Sequence, residues 1–225
     1  MSRHPYFRLA LWTAASLLLL LAWDLLSHDL TLARWFGNAS GFPLRDHWLA
    51  SRVLHSGARR VAWALQLALV LSIWWPLGPL RVLSRRERIA LVATILVSIL
   101  AIFLLKNRSA TSCPWELAEF GGTARYVSHW SWGVADGGEG RCFPAGHASV
   151  AFCFIGGYFW LREKAPRAAV AWLAVTLLAG LVVGISQQVR GAHYMSHTLW
   201  TAWMCWVAAG LMFLLLKPSQ KFGTA

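Results

Sequence analysis

The chain predicts an all-α, polytopic membrane protein, a six-transmembrane-helix bundle with a polar site at its outer face. Three observations predict it. The 225 residues are 57% hydrophobic and 13% charged, with a mean hydropathy of +0.50, whereas soluble domains carry roughly 25% charged residues. Six apolar segments, 8–26, 60–79, 89–105, 147–161, 168–187 and 198–216, each approach the ~20 residues that span hydrocarbon, the fourth being shortest. Lys and Arg collect at alternate connections, as they do on one side of a membrane. The 15 Trp residues fit the same class, because indoles gather at membrane–water interfaces. The length suits one domain, residues 1–225.

The first segment follows Arg3, His4 and Arg8. Its apolar stretch is long and no small-residue cleavage site follows, so it reads as an uncleaved signal anchor. Residues 27–59 are too polar to span. Trp35, Phe36, Phe42 and Trp48 lie there among Arg34, Arg45, Asp46 and Arg52, which suits an amphipathic segment lying in the interface, with Asp24 and His55 in the same layer. Arg81, Arg85, Arg86 and Arg88 join the second and third segments. Residues 106–146, rich in Gly, Ser and Trp, are the longest polar stretch and too long for a plain connector, which points to function. Arg162, Lys164 and Arg167 join the fourth and fifth segments, a short loop around 188–196 joins the fifth and sixth, and Lys217 and Lys221 follow the last.

These basic sites share one side, and Lys and Arg favour the cytoplasm. Both termini are therefore expected in the cytoplasm, and residues 27–59, 106–146 and 188–196 on the outer face of a bacterial inner membrane. The net charge of +12 raises the question of nucleic acid, but most of the excess is topological charge beside anionic headgroups. Lipid is the expected partner and nucleic acid is not. Cys153 and Cys205 sit inside apolar segments as small hydrophobes. Cys113 and Cys142 flank the long outward loop, where an oxidising compartment favours a disulfide between them over two unpaired thiols.

Three outward clusters carry the chemistry. The first is Lys106-Asn107-Arg108, ending in Cys113-Pro114-Trp115; the second is Arg141 with Pro144-Ala145-Gly146-His147; the third is Arg190-Gly191-Ala192-His193, then His197. A last helix beginning near Arg190 would put residues 190, 193 and 197 on one face. His147 is expected at a helix N-terminus, where free backbone N–H groups favour an anion. Imidazole serves as nucleophile or general acid near neutral pH. Lys106, Arg108, Arg190 and Arg141 can neutralise the non-bridging oxygens of a phosphate. Phosphoryl transfer is mostly positioning plus electrostatics, so such a cradle suits a phosphate ester without requiring a metal.

The clusters resemble the three-part signature of the type 2 phosphatidic acid phosphatase family: Lys-x6-Arg-Pro, Pro-Ser-Gly-His and Ser-Arg-x5-His-x3-Asp. Here they read Lys106-x6-Cys113-Pro114, Pro144-Ala145-Gly146-His147 and Ser186-Gln187-x5-His193-x3-His197, and the resemblance covers roughly residues 60–216. It implies His193 as a nucleophile forming a phosphohistidine, His147 as general acid, Lys106 on the phosphate, and no cofactor. Cys113 and Gln187 stand where the family has arginines, Ala145 replaces its Ser and His197 its Asp. Arg190, about one helical turn past Gln187, and Arg108, two residues past Lys106, can restore a guanidinium. His197 can accept a hydrogen bond from the nucleophile's ring through a neutral nitrogen.

The activity implied is hydrolysis of a membrane lipid phosphate or diphosphate, such as undecaprenyl diphosphate, phosphatidylglycerol phosphate, diacylglycerol diphosphate or the lipid A phosphates. A phosphotransferase would share the first half-reaction. Two other readings compete. One is a non-catalytic lipid-phosphate binder, inactive with its signature arginines gone. The other is a metal site on His147, His193 and His197, since His-x3-His on a helix suits zinc and Glu116, Glu119, Asp136 and Glu139 lie in the outward loop; the surrounding Lys and Arg oppose a cation.

Overall fold

A computed structural model describes residues 4–217, so Arg3 and Lys221 lie outside the described residues. The regular elements are helical: α1 (His4–Leu25), α2 (His28–Ala33), a π-helical segment (Leu49–Gly57) running straight into α3 (Ala58–Leu71), α4 (Arg85–Arg108), α5 (Gly146–Phe152), α6 (Gly156–Leu161), α7 (Pro166–Val189) and α8 (Met195–Leu216). α1, α4, α7 and α8 are long and apolar enough to cross a membrane. The other two expected spans are shorter as helices. α3 stops at Leu71 rather than near 79, because Pro76, Gly78 and Pro79 cannot continue a helix; the π-helical segment lengthens it upstream instead. α5 and α6 are joined by the tight turn Cys153–Ile155 into one apolar stretch, Gly146–Leu161.

Local chemistry sets the helix starts. Ser84 and Glu87 form a capping box that opens α4, and Pro166 occupies the first turn of α7, where its missing N–H costs nothing. Lipid is as apolar as leucine, so the bundle depends on close packing and interhelical hydrogen bonds. Gly180 of α7 lies under Phe152 of α5; a Cβ there would come within 2.2 Å of the ring. Trp160 donates to Thr94 across α6 and α4 (3.1 Å), and Trp172 donates to the Phe154 carbonyl (2.7 Å).

The basic connections meet at one end. Lys164 pairs with Glu87 (2.6 Å), and Lys217 reaches Glu163 (2.7 Å) and Tyr6 (3.0 Å). The opposite end holds the three histidine- and lysine-bearing clusters. The segment after α2 is more than an interfacial strip, because Ala33 and Phe42 pack with Leu117, Phe120 and Tyr194. The long loop is folded on its own polar groups. The Asp136 carboxylate accepts from the Ser112 amide and hydroxyl (both 2.6 Å) and the Gly138 amide (3.1 Å), and Glu116 accepts from the Cys113 (2.6 Å) and Glu139 (3.1 Å) amides. A disulfide joins Cys113 to Cys142, with Cα atoms 5.1 Å apart.

Candidate active site

His147 is the second residue of α5, in the helix's first turn. The Lys106 stem crosses the residue before it, and a Cβ on Gly146 would stand 3.1 Å from Lys106 Cδ, so a side chain there would push the lysine by a few tenths of an ångström. Lys106, at the end of α4, donates to the Arg141 carbonyl, which fixes its ammonium beside the two catalytic candidates. His193 lies in the turn between α7 and α8. Gly191 makes that turn possible: its φ is +73°, and a Cβ would sit 2.4 Å from the Phe42 ring. The turn is held by amide donation from Ala192 to Gln187 (2.9 Å) and from Trp115 to Gly191 (3.0 Å).

His193 is 1% exposed, and its Nε2 lies 3.1 Å from Nδ1 of His147. Its own Nδ1 lies 3.5 Å from Cys142 Sγ. A disulfide sulfur has no hydrogen, so it can only accept, and the proton belongs on His193 Nδ1. Nε2 then carries the lone pair, and the hydrogen shared with His147 belongs to His147 Nδ1. Burial, then the charges of His147, Lys106 and His197, hold His193 well below the ordinary imidazole range. The ring is therefore neutral with its lone pair at Nε2, and a donor is already aimed at that lone pair.

Arg190 caps α7; its Nη1 donates to Gln187 Oε1 (3.2 Å) and its Nε to the Arg45 carbonyl (2.6 Å). Arg141 contributes its backbone carbonyl to Lys106, while its side chain is exposed. Arg108 is exposed, with no hydrogen-bond or ion-pair partner among the described residues. The structure thus brings Lys106, His147 and His193 together, with Arg190 half-buried on the adjoining turn and Arg108 and Arg141 exposed.

His197 takes a different place from the one its spacing suggested. α8 begins at Met195, because Gly191 is left-handed and Tyr194 extended (φ −80°, ψ 161°), so residues 190, 193 and 197 do not share a helix face. His197 Nδ1 donates to the Cys142 carbonyl (3.0 Å), and its ring centroid lies 6.0 Å from that of His193. It makes no hydrogen bond to the nucleophile's ring. It belongs instead to a buried polar layer under the site, edge-on to His129 (5.5 Å). His129 Nε2 is 3.4 Å from Asp24 Oδ2, which also accepts from Trp130 (2.9 Å) and Trp200 (2.8 Å). Asp29 of α2 accepts from the Ser196 amide (3.0 Å) and hydroxyl and from Trp23 (3.0 Å), anchoring the first turn of α8. A carboxylate suits the free N–H groups of a helix start, although burial pushes the Asp29 carboxyl up.

The residues proposed as a zinc set do not converge. His147 and His193 share one hydrogen while His197 turns to Cys142. The acids are engaged too: Glu116 and Asp136 by loop amides, Glu119 by Arg34 at 2.5 Å.

One residue beside the site escapes the motif reading: His55, in the π-helical segment, has its ring centroid 4.5 Å from that of His147.

A family model described as the PAP2 superfamily matches residues 87–221, more than half of the chain. Comparison with curated proteins and with solved structures gives no match. Asp24, Asp29 and His55 all precede the matched region. The chain belongs to the PAP2 superfamily, and phosphatase-type chemistry on phosphate esters comes with that membership.

Proposed function

We propose that the protein hydrolyses a membrane lipid phosphate or diphosphate through a phosphohistidine on His193, without a metal. The observation that carries this reading is the 3.1 Å contact between His193 Nε2 and His147 Nδ1, with Lys106 and Arg190 beside it. The two rings bond each other; in the reaction the phosphoryl group enters between them. A phosphate ester carries negative charge, which favours His147 as imidazolium once the substrate is bound; His193 Nε2 then forms a bond to phosphorus, the bond from phosphorus to the leaving oxygen breaks, and that oxygen takes the His147 Nδ1 proton, leaving a neutral ring. Lys106 and Arg190 neutralise the phosphoryl oxygens as charge builds. In the second half, His147 takes a proton from water, the hydroxide attacks phosphorus, and inorganic phosphate leaves with His193 restored.

The lipid assignment rests on the setting. We take α3 (58–71) and the stretch 146–161 as the second and fourth of six spans, and the charge bias favours both termini in the cytoplasm with the site on the outer, periplasmic face. The test is phosphate release from undecaprenyl diphosphate, phosphatidylglycerol phosphate, phosphatidic acid and lipid A by purified protein, with and without EDTA. Turnover unaffected by EDTA supports the reading. No turnover on any of them, or turnover abolished by EDTA, contradicts it. Transfer to an added lipid acceptor in place of phosphate release would identify a phosphotransferase with the same first step.

A further inference from the structure

We propose that Asp24, Asp29 and His129 form a buried site for a divalent transition cation of the zinc class, and that the cation clamps α1 and α2 to the long outward loop. Asp24 lies in the last turn of α1, Asp29 in the first turn of α2 and His129 in the loop. Each offers one ligand atom, a carboxylate oxygen or a ring nitrogen, and the three atoms lie within 4.8 Å of one another. His147 and His193 are not among these ligands, so the inference stands apart from the phosphatase reading.

Asp29 is 5% exposed and His129 8%. Among the described residues neither aspartate pairs with a Lys or Arg. The donors around them are neutral: Trp130 (2.9 Å) and Trp200 (2.8 Å) on Asp24 Oδ2, Trp23 (3.0 Å) and the Ser196 amide (3.0 Å) on Asp29. Such donors orient a carboxylate without cancelling its charge, which is the part outer partners play around a metal. Two sequestered carboxylates beside one imidazole leave negative charge that a divalent cation balances.

The histidine supplies the second observation. Its ring stacks on Phe143 (4.2 Å between centroids, 12° between planes), which holds Nε2 beside the carboxylates. Nε2 stands 3.4 Å from Asp24 Oδ2 without the alignment of a hydrogen bond, and Asp24 Oδ1 is buried with no hydrogen-bond partner. That spacing is long for a charge-assisted bond, which runs at about 2.7–2.9 Å. It matches the edge of a tetrahedron whose N and O ligands sit about 2.1 Å from zinc, an edge of about 3.4 Å. Imidazole with carboxylate oxygens suits zinc or manganese better than the all-oxygen sets of calcium and magnesium. The consequence is mechanical: Asp29 also holds the first turn of α8 through Ser196, and His129 lies edge-on to His197, so the clamp fastens the layer beneath the catalytic pair.

The test uses full-length protein in detergent, stripped with a chelator, dialysed, and titrated with zinc or cobalt ions. Wild-type protein should take up one zinc per chain by elemental mass spectrometry and melt at a higher temperature when loaded. Cobalt should give the visible absorption of a tetrahedral site, abolished by zinc. Asp24→Asn and His129→Gln should each weaken zinc binding at least about 100-fold, more than the 10–100-fold an outer partner costs, and should lose the melting shift. His147→Ala and His193→Ala should bind zinc as wild type does. No zinc uptake by the wild type, or zinc retained by a folded Asp24→Asn protein, overturns the site. Uptake lost in His193→Ala places the ion at the catalytic histidines and overturns it too. Where Asp24→Asn does not fold, the wild-type cobalt spectrum and melting shift decide, and the absence of either overturns the site. Every readout is independent of turnover, so a failed phosphatase reading leaves this result intact.

Discussion

In the proposed mechanism His193 acts as a nucleophile without a carboxylate behind it. Cys142 takes that place, offering Sγ to His193 Nδ1 at 3.5 Å and its carbonyl to His197 at 3.0 Å. The division of labour between the rings has a kinetic signature. His147→Ala should cost roughly 10²–10⁴-fold on a lipid ester, the usual range for a general acid, and markedly less on an activated aryl phosphate whose leaving group needs no proton. Equal losses in steady-state assays of both substrates would argue against the acid role. The depressed pKa of His193 gives two pH effects of opposite appearance. The nucleophile stays unprotonated below the ordinary imidazole range, so the acid limb of kcat/KM should fall below pH ~6.5. Stability runs the other way. His193 and His55 are both lowered, His193 first by burial, His55 by burial and then Arg190 and Arg59. The unfolded chain therefore binds more protons than the folded one. Their contribution is fully present above pH ~6.5 and is lost as pH falls below it. Melting temperatures in detergent should decline on acidification, and His193→Gln should reduce the slope; a flat profile would contradict the buried neutral ring.

The elements show how turns and cross-links place these residues. The disulfide closes a separation of 29 residues, worth about 3–4 kcal/mol in the chain-entropy model, and it ties the chain beyond Lys106 to the strand of loop entering His147. Reduction, or Cys113→Ser with Cys142→Ser, should lower the melting temperature and activity together; unchanged activity after complete reduction, confirmed by mass spectrometry, would remove its role in the site. Gly191→Ala should cost at least about 1–3 kcal/mol, because the left-handed φ and the Phe42 ring both oppose a side chain, and it should displace His193. A normal melting temperature and normal turnover in that variant would contradict this account of the turn. Much at this scale was legible in the sequence. Long apolar runs announced α1, α4, α7 and α8, and Gly146 beside His147 announced the start of α5. The start of α8 was not, because helical spacing over 190, 193 and 197 looked continuous while Gly191 and Tyr194 break it. His197 therefore landed on Cys142 rather than on His193.

At the scale of the whole molecule, the region outside the family match completes the site. α1 and α2 bring Asp24 and Asp29 beneath His129 and the first turn of α8, and the π-helical segment brings His55 against His147. Such contacts were hidden in the sequence for a physical reason. Trp200 and Asp24 are 176 residues apart, Ser196 and Asp29 167 apart, and no local period records a pairing of that length. That His147 and His193 would come together was legible because each sits inside a short motif with a glycine and a cation close by; His55, by contrast, came from a segment read only as interfacial. The central claim remains the covalent step at His193. Rapid quench of wild-type protein with a lipid phosphate labelled in its terminal phosphoryl group, followed by peptide mass spectrometry, tests it most directly. The account predicts an acid-labile, alkali-stable phosphate on His193 that is absent in His193→Ala, a variant that releases no phosphate while remaining folded. Label on another residue, or undiminished turnover in His193→Ala, would contradict it.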